Sequence, residues 1–327
     1  MEIDNPTRVS PEPAPQVERG SSPVRKIFLN AEGLRAGWRF LIYMAFLFVF
    51  MMAFKMLMMR FLKSTPGVFS VRNLFVSEVI SFCAAFGAAI LMSFIEKRQV
   101  GEYGLPVQGA FGKLFWQGCL LGLAEISALI GLIHVLGGYS FGSLDLHGAA
   151  IFHWATLWGI CFVFVGLFEE FLFRGYTLFT LSTGMGFWPA AVLLSAIFAS
   201  VHLQNNGEGR IGVLAVFVVG MLWCLTIRRT GSLWFAVGMH AAFDYGETFL
   251  YSVPDSGMLF PGHLSNATLH GRPWLTGGSA GPEASLIDFL LLFLMFYVVH
   301  RLYPSRLKRE HAEFPGDYRT NSEANTN

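Results

Sequence analysis

Three apolar stretches of the chain carry side chains that lipid does not tolerate alone. The first holds Phe168-Glu169-Glu170-Phe171-Leu172-Phe173-Arg174, the second Phe198-Ala199-Ser200-Val201-His202, and the third His240-Ala241-Ala242-Phe243-Asp244. An ionisable side chain at the centre of a bilayer costs about 2.5–3.5 kcal/mol on insertion scales, so each needs a partner or a function. Acids, imidazoles and a guanidinium are also the groups that activate a water and stabilise a developing negative charge. Glu169, Glu170, Arg174, His202, His240 and Asp244 are therefore the candidate catalytic residues.

Helical geometry divides their work. Glu170 and Arg174 are four residues apart and share a face, so they pair, whereas Glu169 is turned about 100° away and is left to face a water or a metal. The alternative is structural: one acid paired, the other protonated, together holding two helices side by side. The turn between the first two stretches centres near Thr183 to Gly186, with Glu169 and His202 each about sixteen residues from it, hence at nearly equal depth at 1.5 Å per residue. A lone histidine in a membrane helix is often only a packing residue, but this one is level with an unpaired glutamate. Asp244, at i+4 from His240, is placed to accept a ring N–H and fix the tautomer, although a simple helix-surface pair has the same spacing. Weaker signals are Glu125 and His134, which line the same cavity or pair across helices, Lys55 and Glu78, which lie near enough to span ends to snorkel, and Glu247, one turn beyond Asp244.

What must position these groups is legible from composition. Of 327 residues 54% are hydrophobic and 14% charged, with 33 phenylalanines, so a bilayer is the expected solvent. A net charge of +1 without a basic stripe argues against nucleic acid. Crossing the hydrocarbon takes about 20 apolar residues, and eight stretches qualify, near 38–59, 74–95, 114–136, 150–180, 187–205, 211–228, 232–251 and 285–302. Their unbroken apolar character predicts helices, since barrel strands alternate. The expectation is an all-α, polytopic membrane helical bundle of about eight transmembrane helices, integral to the membrane and multi-pass, with both ends cytoplasmic by the positive-inside bias. Residues 1–36, rich in proline and charge, read as a disordered tail, 37–303 as one membrane domain with its motif core at 150–250, and 304–327 as a polar C-terminal tail. The Gly- and Pro-rich segment 252–284 is too irregular for a helix and reads as a lid or a surface loop. The four cysteines lie in apolar runs without C-x-x-C spacing and read as buried, inert thiols.

Together E-E-x-x-x-R, F-x-x-x-H and H-x-x-x-D resemble the signature of the CAAX protease and bacteriocin-processing family, also called the type II CAAX prenyl endopeptidases or the Abi family, over roughly residues 150 to 250. The tract Trp274 to Gly278 followed by Gly281-Pro282-Glu283 is similar to bacterial members. The resemblance implies an intramembrane endopeptidase of the bacterial cytoplasmic membrane in which Glu169 activates a water, assisted by His202, while His240 and the residue four later bind a metal or stabilise the oxyanion. That later residue is Asp244, where the prenyl proteases usually have asparagine, and an ionised aspartate cannot donate to an oxyanion as an amide can. This tilts the expectation towards a divalent metal such as zinc on Glu169, His202 and His240. Implied partners are the lipid bilayer and a membrane-associated or lipidated peptide or protein. A catalytically inactive scaffold or bacteriocin-immunity protein on the same fold is the alternative. A transporter would instead show paired broken helices and internal repeats, which are not seen.

Overall fold

The computed structural model describes residues 27–30, 33–61 and 70–304. The chain divides into two units, 1–35 and 36–327. In the first, β1 (Leu29–Asn30) pairs antiparallel with β2 (Gly33–Leu34), and the rest of the expected N-terminal tail lies outside the described residues, as does the C-terminal tail beyond 304.

The second unit is predominantly helical, in line with the all-α expectation. Its elements are α1 (Ala36–Phe61), α2 (Val71–Glu96), α3 (Lys113–Val135), α4 (Ala149–Glu170), α5 (Thr177–Met185), α6 (Phe187–His202), α7 (Arg210–Thr230), α8 (Trp234–Tyr245), a short α9 (Pro273–Thr276) and α10 (Leu286–Leu302). Local chemistry sets the ends. Ser70 caps α2 by accepting from the amide of Asn73, Ser285 caps α10 by accepting from Ile287, and Gly231 closes α7 in the left-handed region, φ 71°.

Each of the eight stretches expected to span forms helix, but the count of eight crossings does not follow. Among the described residues five segments are long and apolar enough to cross: Ala36–Met59, Val71–Glu96, Lys113–Val135, Ala149–Met185 and Arg210–Thr230. The remaining three are helices of 16, 12 and 17 residues. α6 stops at His202 ahead of Gly207 and Gly209, and α8 gives way at Gly246 to a π-turn, Gly246–Leu250, so apolar sequence runs on where the regular helix does not. The chain is an integral, multi-pass membrane protein.

The tightest packing in the unit is between α3 and α8. Gly118 and Gly122, a G-x-x-x-G pair, sit where a Cβ would collide with the carbonyl oxygens of Phe235 and Met239, and Gly238 meets the carbonyl of Phe115 in the same way. Such small-residue seams let helix backbones touch where lipid supplies no hydrophobic drive. α8 is thereby enclosed, with α4 and α7 on its other sides. The run Ala149–Met185 is broken by a π-turn at Phe171–Tyr176, where Gly175 leaves helical geometry at φ −84°, ψ −116°. The Thr177 hydroxyl donates to the carbonyls of Leu172 and Phe173, so the break keeps its backbone satisfied.

The 252–284 segment is bound to the rest of the unit: β3 (Tyr139–Ser140) pairs with β4 (Thr268–Leu269), the indole N–H of Trp158 donates to Pro261 at 3.1 Å, and Tyr139 donates to Tyr251, just before the segment, at 2.9 Å. It holds two helical turns, α9 and a 3-10 turn at Pro282–Ala284, where none was expected. Among the cysteines only Cys161 and Cys224 are buried; Cys83 is exposed and Cys119 half-buried, because α2 and α3 turn those faces outward.

Candidate active site

Glu169 and Glu170 close α4 and separate as helix geometry requires. Glu170 is fully buried and faces Arg174, whose Nη1 donates to its Oε1 at 3.3 Å. Arg174, 1% exposed, lies in the π-turn with its guanidinium 4.2 Å from the centre of the Phe198 ring and 5.1 Å from that of Trp223. Its Nε and Nη2 have no hydrogen-bond partner, so aromatic faces supply part of the compensation for this buried cation. Space for it exists because position 220 is glycine: a Cβ there would stand 2.6 Å from Nη2.

His240 arrives from α8 and is held on three sides. Its Nδ1 lies 3.0 Å from Glu170 Oε1, its ring stacks on Trp223 at 4.4 Å and 17°, and its Nε2 points towards Asp244 Oδ2 at 3.4 Å and Glu169 Oε2 at 3.8 Å. Glu170 accepts from both the guanidinium and the imidazole, so the carboxylate that orients the His240 ring is Glu170, while Asp244 and Glu169 share the opposite nitrogen. Sequence spacing assigned that orienting role to Asp244. A pairing between α4 and α8 has no sequence-local signal, and Trp223, from α7, had none either.

His202 ends α6. Its Nδ1 is 2.9 Å from the carbonyl of Phe198, and a carbonyl only accepts, so Nδ1 carries a proton and neutral His202 turns the lone pair of Nε2 outward. Glu169, His202, His240 and Asp244 all line one cavity of about 200 Å³, with Glu78, Glu125, Trp223, Asp255, Phe260, Glu283 and Asp288. Glu170 and Arg174 stand behind that wall. Glu78 therefore faces the cavity and does not snorkel, because the lining of α2 turns inward at Leu74 and Glu78. His134, by contrast, bonds the carbonyl of Tyr139 at 2.8 Å at the end of α3. The segment 252–284 supplies Asp255, Ser256, Phe260 and Glu283 to the wall, which makes it more than a surface loop.

Of the donors expected to hold zinc, Glu169 Oε2 and His240 Nε2 stand 3.8 Å apart, and His202 lines the same cavity. Among the described residues the group of at least three His, Cys, Asp or Glu donors gathered within 4.8 Å of one another is Asp244, Glu247 and Asp255, and Glu169, His202 and His240 do not form such a group. What the cavity does offer is a carboxylate, two imidazoles and a second carboxylate on one small wet space with apolar walls, the elements of acid–base hydrolysis.

Fold and site define a multi-pass helical membrane protein with an acid–histidine site at the meeting of α4, α6 and α8. Residues 151–246, which span all three motifs, match the family model described as Type II CAAX prenyl endopeptidase Rce1-like, the family that the motifs resemble. No curated protein and no solved structure matches the chain.

Proposed function

We propose that the chain is an intramembrane endopeptidase of the glutamate type that cleaves a membrane-associated or lipidated peptide. The observation that carries this reading is the clamped His240 ring, fixed by Glu170 and Trp223 so that Nε2 faces Glu169 across 3.8 Å on a cavity wall. That gap is too long for a direct hydrogen bond and suits a bridging water. Glu169 takes the proton of this water as it attacks the scissile carbonyl and returns it to the leaving amine as the C–N bond breaks, and His202, presenting Nε2 as an acceptor, helps orient the water. His240 in its imidazolium form donates from both nitrogens, from Nδ1 to Glu170 and from Nε2 to the growing oxyanion. Asp244 stabilises that imidazolium and does not itself donate. Glu170 and Arg174 position His240 and touch no reacting atom. Apolar walls containing Phe162, Val165 and Phe243 suit a lipidated or transmembrane substrate, and the likeness of the 274–283 tract to bacterial members supports a bacterial cytoplasmic membrane.

Glu169→Gln keeps shape and removes the base. In proteoliposomes carrying a quenched lipidated peptide, cleavage should fall about 10²–10⁴-fold, the usual worth of a general base, with unchanged protein yield. Full activity in this variant would falsify the assignment. Added zinc should not raise the rate of the wild-type protein, and a zinc-dependent rate would restore the metal reading.

A further inference from the structure

Asp244 also belongs to a second set of acids, whose other members, Asp255 on the cavity lining and Glu247 buried behind it, the reaction above does not use. Asp244 and Glu247 lie three residues apart on one helical face, and the π-turn that follows brings Asp255 back beside them. The turn is fixed by the amide of Tyr251 donating to Gly246 at 2.9 Å and that of Val253 to Glu247 at 3.0 Å. The three side chains are buried, and their ligand oxygens all lie within 4.8 Å of one another. Glu247 is 0% exposed and neither of its oxygens has a hydrogen-bond partner. A buried carboxylate with nothing donating to it is costly to leave so, and here it is aimed at two further carboxylates.

We propose that Asp244, Glu247 and Asp255 bind a hard divalent cation of the Ca²⁺ class, which pins the 252–284 segment to α8 behind His240. The donor chemistry selects the ion. The set is all oxygen, which suits Ca²⁺ or Mn²⁺ and not Zn²⁺, whose structural sites are built from nitrogen and sulfur. Size agrees: Ca–O distances of about 2.3–2.6 Å place opposite ligands up to about 5 Å apart, so three oxygens within 4.8 Å fit around one ion. The Thr248 hydroxyl donates to Asp255 Oδ2 at 3.0 Å, which fixes one oxygen and leaves the other to turn to the ion. The neighbouring amide of Ser256 donates to Glu283 Oε1 at 2.9 Å, tying the start of the segment to its end. Asp244 belongs to both neighbourhoods, since it also stands 3.4 Å from His240 Nε2. A bound cation draws Asp244 towards Glu247 and sets how closely it approaches His240.

The test reads binding and needs no substrate, so it stands apart from the peptidase reading. Full-length protein in nanodiscs is stripped with chelator and titrated with Ca²⁺ by calorimetry and with Mn²⁺ by electron paramagnetic resonance. The expected result is about one saturable site per chain, a rise in melting temperature on Ca²⁺ addition, and slower proteolysis within 252–284. Glu247→Gln and Asp255→Asn should each weaken Ca²⁺ binding by about 10-fold or more, since the amide replaces a charged ligand. Absence of saturable Ca²⁺ and Mn²⁺ binding in the wild-type protein overturns the site. So does binding of equal strength in both variants, which would put the ion elsewhere, and so does binding of Zn²⁺ alone. Should Glu247→Gln fail to fold, the wild-type titration and Asp255→Asn decide.

Discussion

The two sides of the cavity differ in how their buried charges are met. Around His240, opposite charges interlock: Glu170 takes Arg174 at 3.3 Å and His240 at 3.0 Å, and the guanidinium is roofed by Phe198 and Trp223. Around Glu247 there are only acids. Asp255 receives one hydroxyl, Glu283 one amide, and Glu247 nothing. A charge taken out of water is stable only when it is compensated, so the first wall is complete within the chain and rigid, while the second needs protons or a cation. The rigid wall is where catalytic geometry must be held. The incomplete wall is where the cavity can respond to its surroundings.

The contrast can be broken first at the seam that supports the rigid wall. Gly122→Val drives a branched side chain into the carbonyl of Met239, one residue before His240, and no rotamer avoids it. The expected outcome is loss of folded protein, read as aggregation on size-exclusion chromatography; a monodisperse, active variant would show that α8 is not held by this seam. Arg174→Ala comes next. It leaves Glu170 buried with its strong partner gone, at a cost of about 3–5 kcal/mol typical of breaking a buried pair. Thermal melting in detergent should register this as a large loss, and adding Glu170→Gln to the same chain should recover part of it. Unchanged melting of the single variant would mean that the charge of Glu170 is met by something other than Arg174.

These sensitivities bear on what the sequence could reveal. Apolar runs long enough to span were readable because the bilayer demands them, and the four-residue spacing of Glu170 and Arg174 was readable because a helix demands it. The equal depth of Glu169 and His202 followed from counting residues to Gly186, and both line the cavity. Crossing count was less accessible, since α6 and α8 are apolar for longer than they remain regular and α10 is a helix of only 17 residues. The partner of His240 Nδ1 was hidden for a different reason: Glu170 is 70 residues away, and nothing in either helix alone tells which acid its neighbour will meet. Asp255 and Glu283 sat in a segment whose glycines and prolines signal only irregular backbone, and only the fold shows that it turns inward.

A smaller effect separates the stacking of His240 from its hydrogen bonds. Trp223→Leu keeps an apolar neighbour but removes the aromatic face that lies 17° from parallel to the imidazole. Such pairs contribute about 0.5–1.5 kcal/mol beyond simple burial, so kcat should fall up to about 10-fold with KM little changed, and melting temperature should drop because Trp223 also roofs the buried Arg174 guanidinium. A change confined to KM would place Trp223 in substrate binding and not in the positioning of His240.

The smallest effect is expected on the acid wall, and its sign distinguishes that wall from the other. Burial, reinforced by the charges of Asp255 and Glu208, holds the Glu283 carboxyl well above the usual carboxylate range. The folded protein thus keeps this proton more tightly than the unfolded chain does. Stability from that proton is fully present below the unfolded value of about 4.3 and is lost as pH rises through the folded one. Glu283→Gln keeps an oxygen to accept from Ser256 and has no proton to lose. In chelator, so that no cation intervenes, wild-type melting temperature should decline as pH is raised from about 5 to 8, and the variant should decline less, with the two nearly equal at the acid end. Were the variant instead much less stable at every pH, as Arg174→Ala is expected to be, Glu283 would be paired like Glu170, and the difference between the walls would vanish.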